Sequence, residues 1–337
     1  MQAFHYERAA TVGDAAKLGM LTGAGDVHAA TQFLAGGTTL VDLMKLNVLT
    51  PARVVDINAL RRQNAGILLD DQGLTLGAFA TMASTASHPQ IVARYPAVAE
   101  SLALAASQQI RNMATLGGNL LQRTRCTYFR DVSWTACNKR TPGSGCAALE
   151  GFNRNHAILD VDESCIAQYP GDLAVALVAL DAQLSLAGPT GTRRLPLALL
   201  HRPPGQPHLE TTLQPGEVIT AIQVPAGPWT ARSTYVKVRD RQSYEFAIAS
   251  AAVALDLDGD TVRAARIGLG GMAYRPWRSS AAEAALAGKA LTAGNAEAAA
   301  QVALEGAVTH GHNDYKPELA RRTLVRALLA ARDMRRA

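Results

Sequence analysis

The residues able to do chemistry concentrate between Ile110 and Asp172. All four cysteines of the chain fall there, Cys126, Cys137, Cys146 and Cys165, spaced C-x10-C-x8-C-x18-C. Before them stands Ile110-Arg-Asn-Met-Ala-Thr-Leu-Gly-Gly-Asn119, and Pro170-Gly-Asp172 follows. Glycines beside a hydroxyl and an amide suit a phosphorylated cofactor, because glycine lets backbone approach a ligand closely. Four thiols in one polar loop suit a metal. Their spacing is not the paired C-x2-C of zinc ribbons or bacterial ferredoxins. It leaves four states open: a [4Fe–4S] cluster, a structural zinc, two disulfides or free thiols. His156 lies in the same loop, but four cysteines complete a tetrahedral set without it.

A second glycine turn lies upstream, in Leu34-Ala35-Gly36-Gly37-Thr38-Thr39-Leu40-Val41. A short apolar run ends in the two glycines, and Leu40, Leu43, Met44 and Leu46 then recur at helical spacing. The pattern predicts strand, tight turn, helix. A helix start offers free N–H groups and a positive dipole end to an anion. Thr38 and Thr39 can cap the helix or bond phosphate oxygens; an ordinary strand-to-helix turn would look the same. Thr115, Leu116, Gly117, Gly118 and Asn119 repeat the logic, so the two turns suggest one cofactor gripped from two sides. Asp172 could accept from a ribose or ribityl hydroxyl, or cap the helix predicted over Leu173 to Leu180.

The elements that must hold these groups are legible from periodicity. Phe4, Tyr6 and Ala9 alternate as a strand, and Ala15 to Met20 reads as a helix. Gly23-Ala-Gly25-Asp-Val-His28 lacks a third glycine and a preceding strand, so it reads as a turn. Arg53 to Asn58 reads as a buried strand completing a βαβ unit. Gly66 to Gly77 reads as a hairpin, while Ala80 to Ala86 and Tyr95 to Ser107 read as helices. His88, before Pro89, reads as a turn residue. The loop from 122 to 168 is long for a connection without structure, so something must tie it down. A hairpin over Leu184 to Leu197 and a strand over Gly216 to Val224 follow. Pro225-Ala-Gly-Pro228 reads as a domain boundary. Beyond it come strands at 233–239, 247–257 and 264–269, then helices at 283–286, 296–308 and 317–332. Lys237 falls on the first of these strands, where a lysine is usually solvated.

The chain has 337 residues, 48% apolar and 18% charged, enough for two domains with a real core. Its best apolar run, Leu173 to Leu180, is too short for a membrane span. The first thirty residues carry Glu7, Asp14 and Asp26 and no basic-then-apolar pattern, so no signal peptide is expected. The net charge is +5, but the excess sits in the last turns, among Arg321, Arg322, Arg326, Arg332, Arg335 and Arg336. Without interleaved aromatics this argues for a solvated helix face or an acidic partner subunit, not for nucleic acid.

Taken together, Leu34 to Val41, Ile110 to Asn119 and Asp172-Leu-Ala resemble the FAD-binding medium subunits of the molybdenum hydroxylases, the xanthine dehydrogenase and aldehyde oxidoreductase family. Lys237-Val-Arg-Asp-Arg, Gly268-Leu-Gly-Gly-Met272 and Asn313-Asp-Tyr-Lys-Pro-Glu-Leu-Ala-Arg-Arg322 continue the likeness over nearly the whole chain. Within that family it extends to the flavin subunits of bacterial periplasmic aldehyde oxidoreductases, whose cysteine-bearing insertion at this place binds [4Fe–4S]. The resemblance implies an α+β protein. A two-subdomain FAD-binding fold of the vanillyl-alcohol oxidase type would occupy 1–224 (subdomains 1–59 and 60–224, cluster loop 122–168). A smaller α+β domain would occupy 229–337.

The resemblance further implies FAD held by residues 34–41 and 115–119, with Asp172, Ile219 and Lys237 completing the pocket, and Cys126, Cys137, Cys146 and Cys165 ligating iron. The partners would be a large molybdenum-cofactor subunit, a small subunit with two [2Fe–2S] clusters and an external electron acceptor. No general base, nucleophile or triad is expected on this chain. The complex would be periplasmic, exported on a partner's signal; alone, the chain would stay cytoplasmic. Two rival readings are a free-standing FAD oxidase of a small alcohol or aldehyde, which would need its own pocket and base, and a non-redox scaffold with zinc in the loop.

Overall fold

The computed structural model describes residues 1–20 and 29–334; the predicted turn over Gly23 to His28, and Arg335 and Arg336, lie outside the described residues. The chain starts with β1 (His5–Arg8), α1 (Val12–Gly19), β2 (Thr31–Leu34), α2 (Leu40–Lys45) and β3 (Arg53–Asp56). Thr11 caps α1 in a capping box with Asp14. The three strands are parallel, in the order β1-β3-β2. A parallel pair needs a crossover, and α2 with the diglycine turn supplies the one between β2 and β3.

The next stretch holds α3 (Arg61–Asn64), β4 (Ile67–Asp70), β5 (Gly73–Gly77), α4 (Met82–Ala86), α5 (Pro89–Arg94), α6 (Pro96–Ala103), α7 (Gln108–Met113) and α8 (Leu116–Leu120). His88 precedes α5, a helix the sequence reading missed, and Pro89 opens it. After α9 (Thr127–Arg130), about forty residues carry no helix or strand until α10 (Asp172–Ala179). Then β6 (Gln183–Gly188), β7 (Gly191–Pro196) and β8 (Val218–Pro225) join the earlier hairpin in an antiparallel sheet ordered β4-β5-β8-β6-β7.

The last part forms a four-stranded antiparallel sheet, β12-β11-β10-β9, from β9 (Ser233–Val238), β10 (Ala249–Asp258), β11 (Thr261–Gly270) and β12 (Trp277–Arg278). Its helices are α11 (Ser280–Leu286), α12 (Ala293–Val302) and α13 (Lys316–Asp333). α13 packs on β9 and β10 and presents Ala320, Leu324, Ala327, Leu328 and Ala331 to the sheet. Its arginines face outward into ion pairs: Arg321 with Glu297 and Glu318, and Arg322 with Glu318.

After Asp172, α10 is apolar all round because it is buried all round: every one of its residues is buried. It packs against α6 on one side and against β10 and β11 on the other. Gly268 and Gly270 make the second contact possible, since a Cβ on Gly268 would lie 2.5 Å from the Val175 carbonyl oxygen. Among the described residues no helix is long and apolar enough to cross a membrane.

Candidate functional site

The two diglycine turns, about eighty residues apart in sequence, abut in space. A Cβ on Gly36 would lie 2.2 Å from the Met113 carbonyl oxygen, so only glycine allows β2 to end against the segment entering α8. Gly37 has φ +74°, the left-handed region that glycine enters without strain. In the second turn both glycines lie inside α8, which follows a helix where the first turn follows a strand. The Thr115 hydroxyl accepts from the Gly118 N–H at 3.2 Å and caps α8.

Both turns wall one cavity of about 230 Å³. Of the predicted residues, Ala35, Gly36, Gly37, Thr38, Thr39, Leu40, Thr115, Gly117, Gly118 and Ile219 line it. Thr39 stands at the N-cap of α2 but makes no capping bond from its side chain, so its hydroxyl is not spent on the helix. Leu34, Val41, Leu116 and Asn119 are not on the wall. Leu34 and Val41 flank Gly37 from behind, Leu116 is in the core, and the Asn119 amide reaches the Met82 sulfur at 3.4 Å.

Asp172 and Lys237 are not on this wall either. They meet each other instead, Lys237 Nζ donating to Asp172 Oδ2 at 2.7 Å, while Tyr235 donates to Oδ1 at 2.6 Å. Burial raises the Asp172 carboxyl against the opposing pull of Lys237 and Tyr235. Two expectations are corrected here. Asp172 does not cap α10: it is the first helical residue, and Gly171 holds the cap position without a side-chain bond. Lys237 is buried, not solvated.

Sequence reasoning missed several residues of the cavity wall, among them Phe33, Arg123, Glu210, Gln214 and Gly216. Gly216 sits where only glycine fits: it has φ +77°, and a Cβ there would strike the Ala16 carbonyl oxygen at 2.4 Å. Arg123 stands four residues after Asn119, but Glu210 has no local cue. Arg123 Nε lies 3.3 Å from Glu210 Oε2, and its Nη1 is buried without a partner.

The four cysteines converge on one small pocket beside α9, with Cys126, Cys137, Cys146 and Cys165 all on its lining. Backbone pairing of Cys137 with Cys146 and of Asp162 with Cys165 shapes it. None of the four is in a disulfide. Burial pushes the Cys126 thiol up to about 12. A hydrogen bond from Cys165 lowers Cys146 to about 6, and the same contact holds Cys165 well above its usual value. His156 Nε2 lies 3.2 Å from the Cys126 sulfur. Among the described residues no group of three or more His, Cys, Asp or Glu is gathered tightly enough for a single metal ion. The thiols face a shared pocket without closing on one point. Four cysteine sulfurs around one pocket are a donor set that a structural zinc or an iron–sulfur cluster takes.

Polar contacts tie this loop down on three sides. Arg125 and Arg130 reach Asp42 in α2 at 3.1 and 2.8 Å. Lys139 reaches Glu210 at 2.9 Å. Lys316 of α13 donates to the His156 and Gly271 carbonyls and to Gln168 Oε1, at 2.8, 2.6 and 3.0 Å.

Known proteins resemble this chain over nearly its whole length. Residues 2–227 match the family described as FAD binding domain in molybdopterin dehydrogenase, and residues 234–331 match the CO dehydrogenase flavoprotein C-terminal domain. The aldehyde oxidoreductase FAD-binding subunit PaoB of Escherichia coli is 44% identical, over 98% of this chain and 99% of its own. The carbon monoxide dehydrogenase medium chain of Hydrogenophaga pseudoflava is 28% identical, over 97% of this chain and 96% of its own. The solved carbon monoxide dehydrogenase of that organism superposes with a TM-score of 0.74, at 28% identity, over 98% of this chain and 97% of that one.

Proposed function

Since the chain belongs to the family of FAD-binding medium subunits of the molybdenum hydroxylases, we propose that it is the electron-transfer subunit of an aldehyde oxidoreductase, carrying FAD and a [4Fe–4S] cluster. The observation that carries this reading is the single cavity walled by both diglycine turns, with the four-cysteine pocket nearby. Bound FAD takes up electrons singly and returns them in pairs, chemistry that belongs to the cofactor. A cluster on Cys126, Cys137, Cys146 and Cys165 would pass single electrons, at a potential set by its thiolates, hydrogen bonds and exposure.

What the chain itself does is bind and position. The backbone of residues 35–40 and 115–118 approaches the ligand where side chains would block it, and Ile219 adds an apolar wall. The free hydroxyls of Thr38 and Thr39 are available to phosphate oxygens. The Asp172–Lys237 pair, joining α10 to β9, fixes the first 227 residues against the last sheet. Aldehyde oxidation falls to a partner molybdenum subunit, and electrons arrive through a partner [2Fe–2S] subunit. Export of the assembled complex on a partner's signal would put it in the periplasm.

The test is the visible spectrum of the purified full chain, with its released flavin quantified. One FAD per chain, reduced by aldehyde only when the partner subunits are present, is expected. A colourless chain that takes up no FAD contradicts the reading, and reduction of FAD by aldehyde in the chain alone favours a free-standing oxidase.

A further inference from the structure

The cavity and the cysteine pocket are separated by a chain of three charged side chains. Arg123 lines the cavity and sits 3.3 Å from Glu210 Oε2. Glu210 lines the same cavity, and its other oxygen accepts from Lys139 Nζ at 2.9 Å. Lys139 lines the cysteine pocket; its Nζ also donates to the Tyr274 hydroxyl at 3.1 Å and the Pro207 carbonyl at 3.0 Å. Tyr274 packs on Cys165. A second cavity of about 40 Å³ lies along this line, bounded by Arg123, Glu210, Lys139 and Tyr274 among others. Lys139 and Glu210 have their bonds made, but Arg123 Nη1 is a buried donor with none. Buried donors without partners are rare and call for an explanation.

We propose that Arg123 recognises the anionic pyrophosphate of the cofactor, and that Glu210 and Lys139 hold it in place for that task, so that the cysteine loop is mechanically coupled to cofactor affinity. This rests on reading the cavity as the FAD site. Glu210 is the shared anion. One oxygen orients the guanidinium at the cavity wall, and the other is anchored by a lysine that belongs to the cysteine loop. With Lys139 gone, Glu210 loses its anchor and Arg123 its fixed partner. With Arg123 gone, the pyrophosphate loses its guanidinium, while Glu210 stays paired with Lys139. Guanidinium is suited to this role because its planar fork binds phosphate oxygens while keeping another nitrogen on a carboxylate.

The test is FAD affinity of the deflavinated full chain, read by flavin fluorescence, with circular dichroism as the check on folding. Arg123→Gln should weaken FAD by tenfold or more, Arg123→Lys by much less, and Lys139→Met by fivefold or more. The double variant should bind no worse than Arg123→Gln alone, because Lys139 acts only through Arg123. If Lys139→Met does not fold, Glu210→Gln takes its place in the same cycle. Additive losses, or unchanged affinity in these variants while the wild type binds FAD, overturn the coupling and leave the FAD reading standing. A wild type that binds no FAD overturns that reading itself.

Discussion

Lys237 and Asp172 form an ion pair of 2.7 Å with side chains 1% and 4% exposed, and it joins the strand β9 to the first turn of α10. Tyr235 and Ser250 extend it into a buried network. Removing one partner of a buried pair strands the other, at about 3–5 kcal/mol. Lys237→Met should lower the urea midpoint of the full chain accordingly, and Asp172→Asn added to it should recover much of the loss. A double variant as unstable as the single one would show that the pair's charge is not what matters.

Gly36 and Gly118 should fail in different ways. A side chain at Gly36 must displace the backbone at Met113, so Gly36→Val should cost stability, about 1–3 kcal/mol or more. A side chain at Gly118 meets only the Thr115 hydroxyl, at 2.9 Å, and otherwise enters the cavity. Gly118→Leu should therefore keep the fold, seen by thermal melting, and lose most FAD binding. Stoichiometric FAD in that variant would show that the turn does not approach the cofactor.

Lys316 is fully buried, and its three donors meet three acceptors, two of them in or beside the cysteine loop. Lys316→Met leaves the two carbonyls and the amide oxygen unmatched, each at about 1–3 kcal/mol. A melting temperature lower by several degrees and faster amide exchange around 156–168 are expected. Unchanged exchange there would mean the loop is held elsewhere.

His201 gives a pH dependence whose sign follows from its environment. Its ring Nε2 lies 3.0 Å from the Leu120 carbonyl, consistent with a neutral ring donating there, and Nδ1 is buried without a partner. Burial lowers it from 6.5 to about 4, with Glu210 opposing and Arg275 and Lys139 reinforcing; the Tyr169 ring packs 4.6 Å away. Between these values the unfolded chain binds the proton and the folded one does not. Stability is therefore fully present above 6.5 and falls as pH drops toward 4, by on the order of 3 kcal/mol. His201→Gln should flatten that part of the denaturation profile; an unchanged slope would assign it to other groups.

Much of this fold was legible because its signals are local. The βαβ unit around Gly36-Gly37, the hairpins at Asp70 to Gly73 and Gly188 to Gly191, and the C-terminal strands all follow from alternation and turn residues. What escaped the sequence is set by contacts far along the chain. Asp172 reads as a helix cap until Tyr235 and Lys237, more than sixty positions later, claim both its oxygens. Lys139 and Lys316 carry no local mark of burial, yet each is buried among acceptors brought from other segments. Glu210 follows a run rich in proline with nothing to mark it, and only tertiary structure makes it the anion between Arg123 and Lys139.

The central claim is most directly tested by iron and acid-labile sulfide analysis of the anaerobically purified full chain, quantified against its FAD. The account predicts about four iron and four sulfide per FAD, both lost when any one of Cys126, Cys137, Cys146 or Cys165 is replaced by alanine. Zinc in place of iron, or a chain that stays free of metal and flavin after reconstitution, would contradict it.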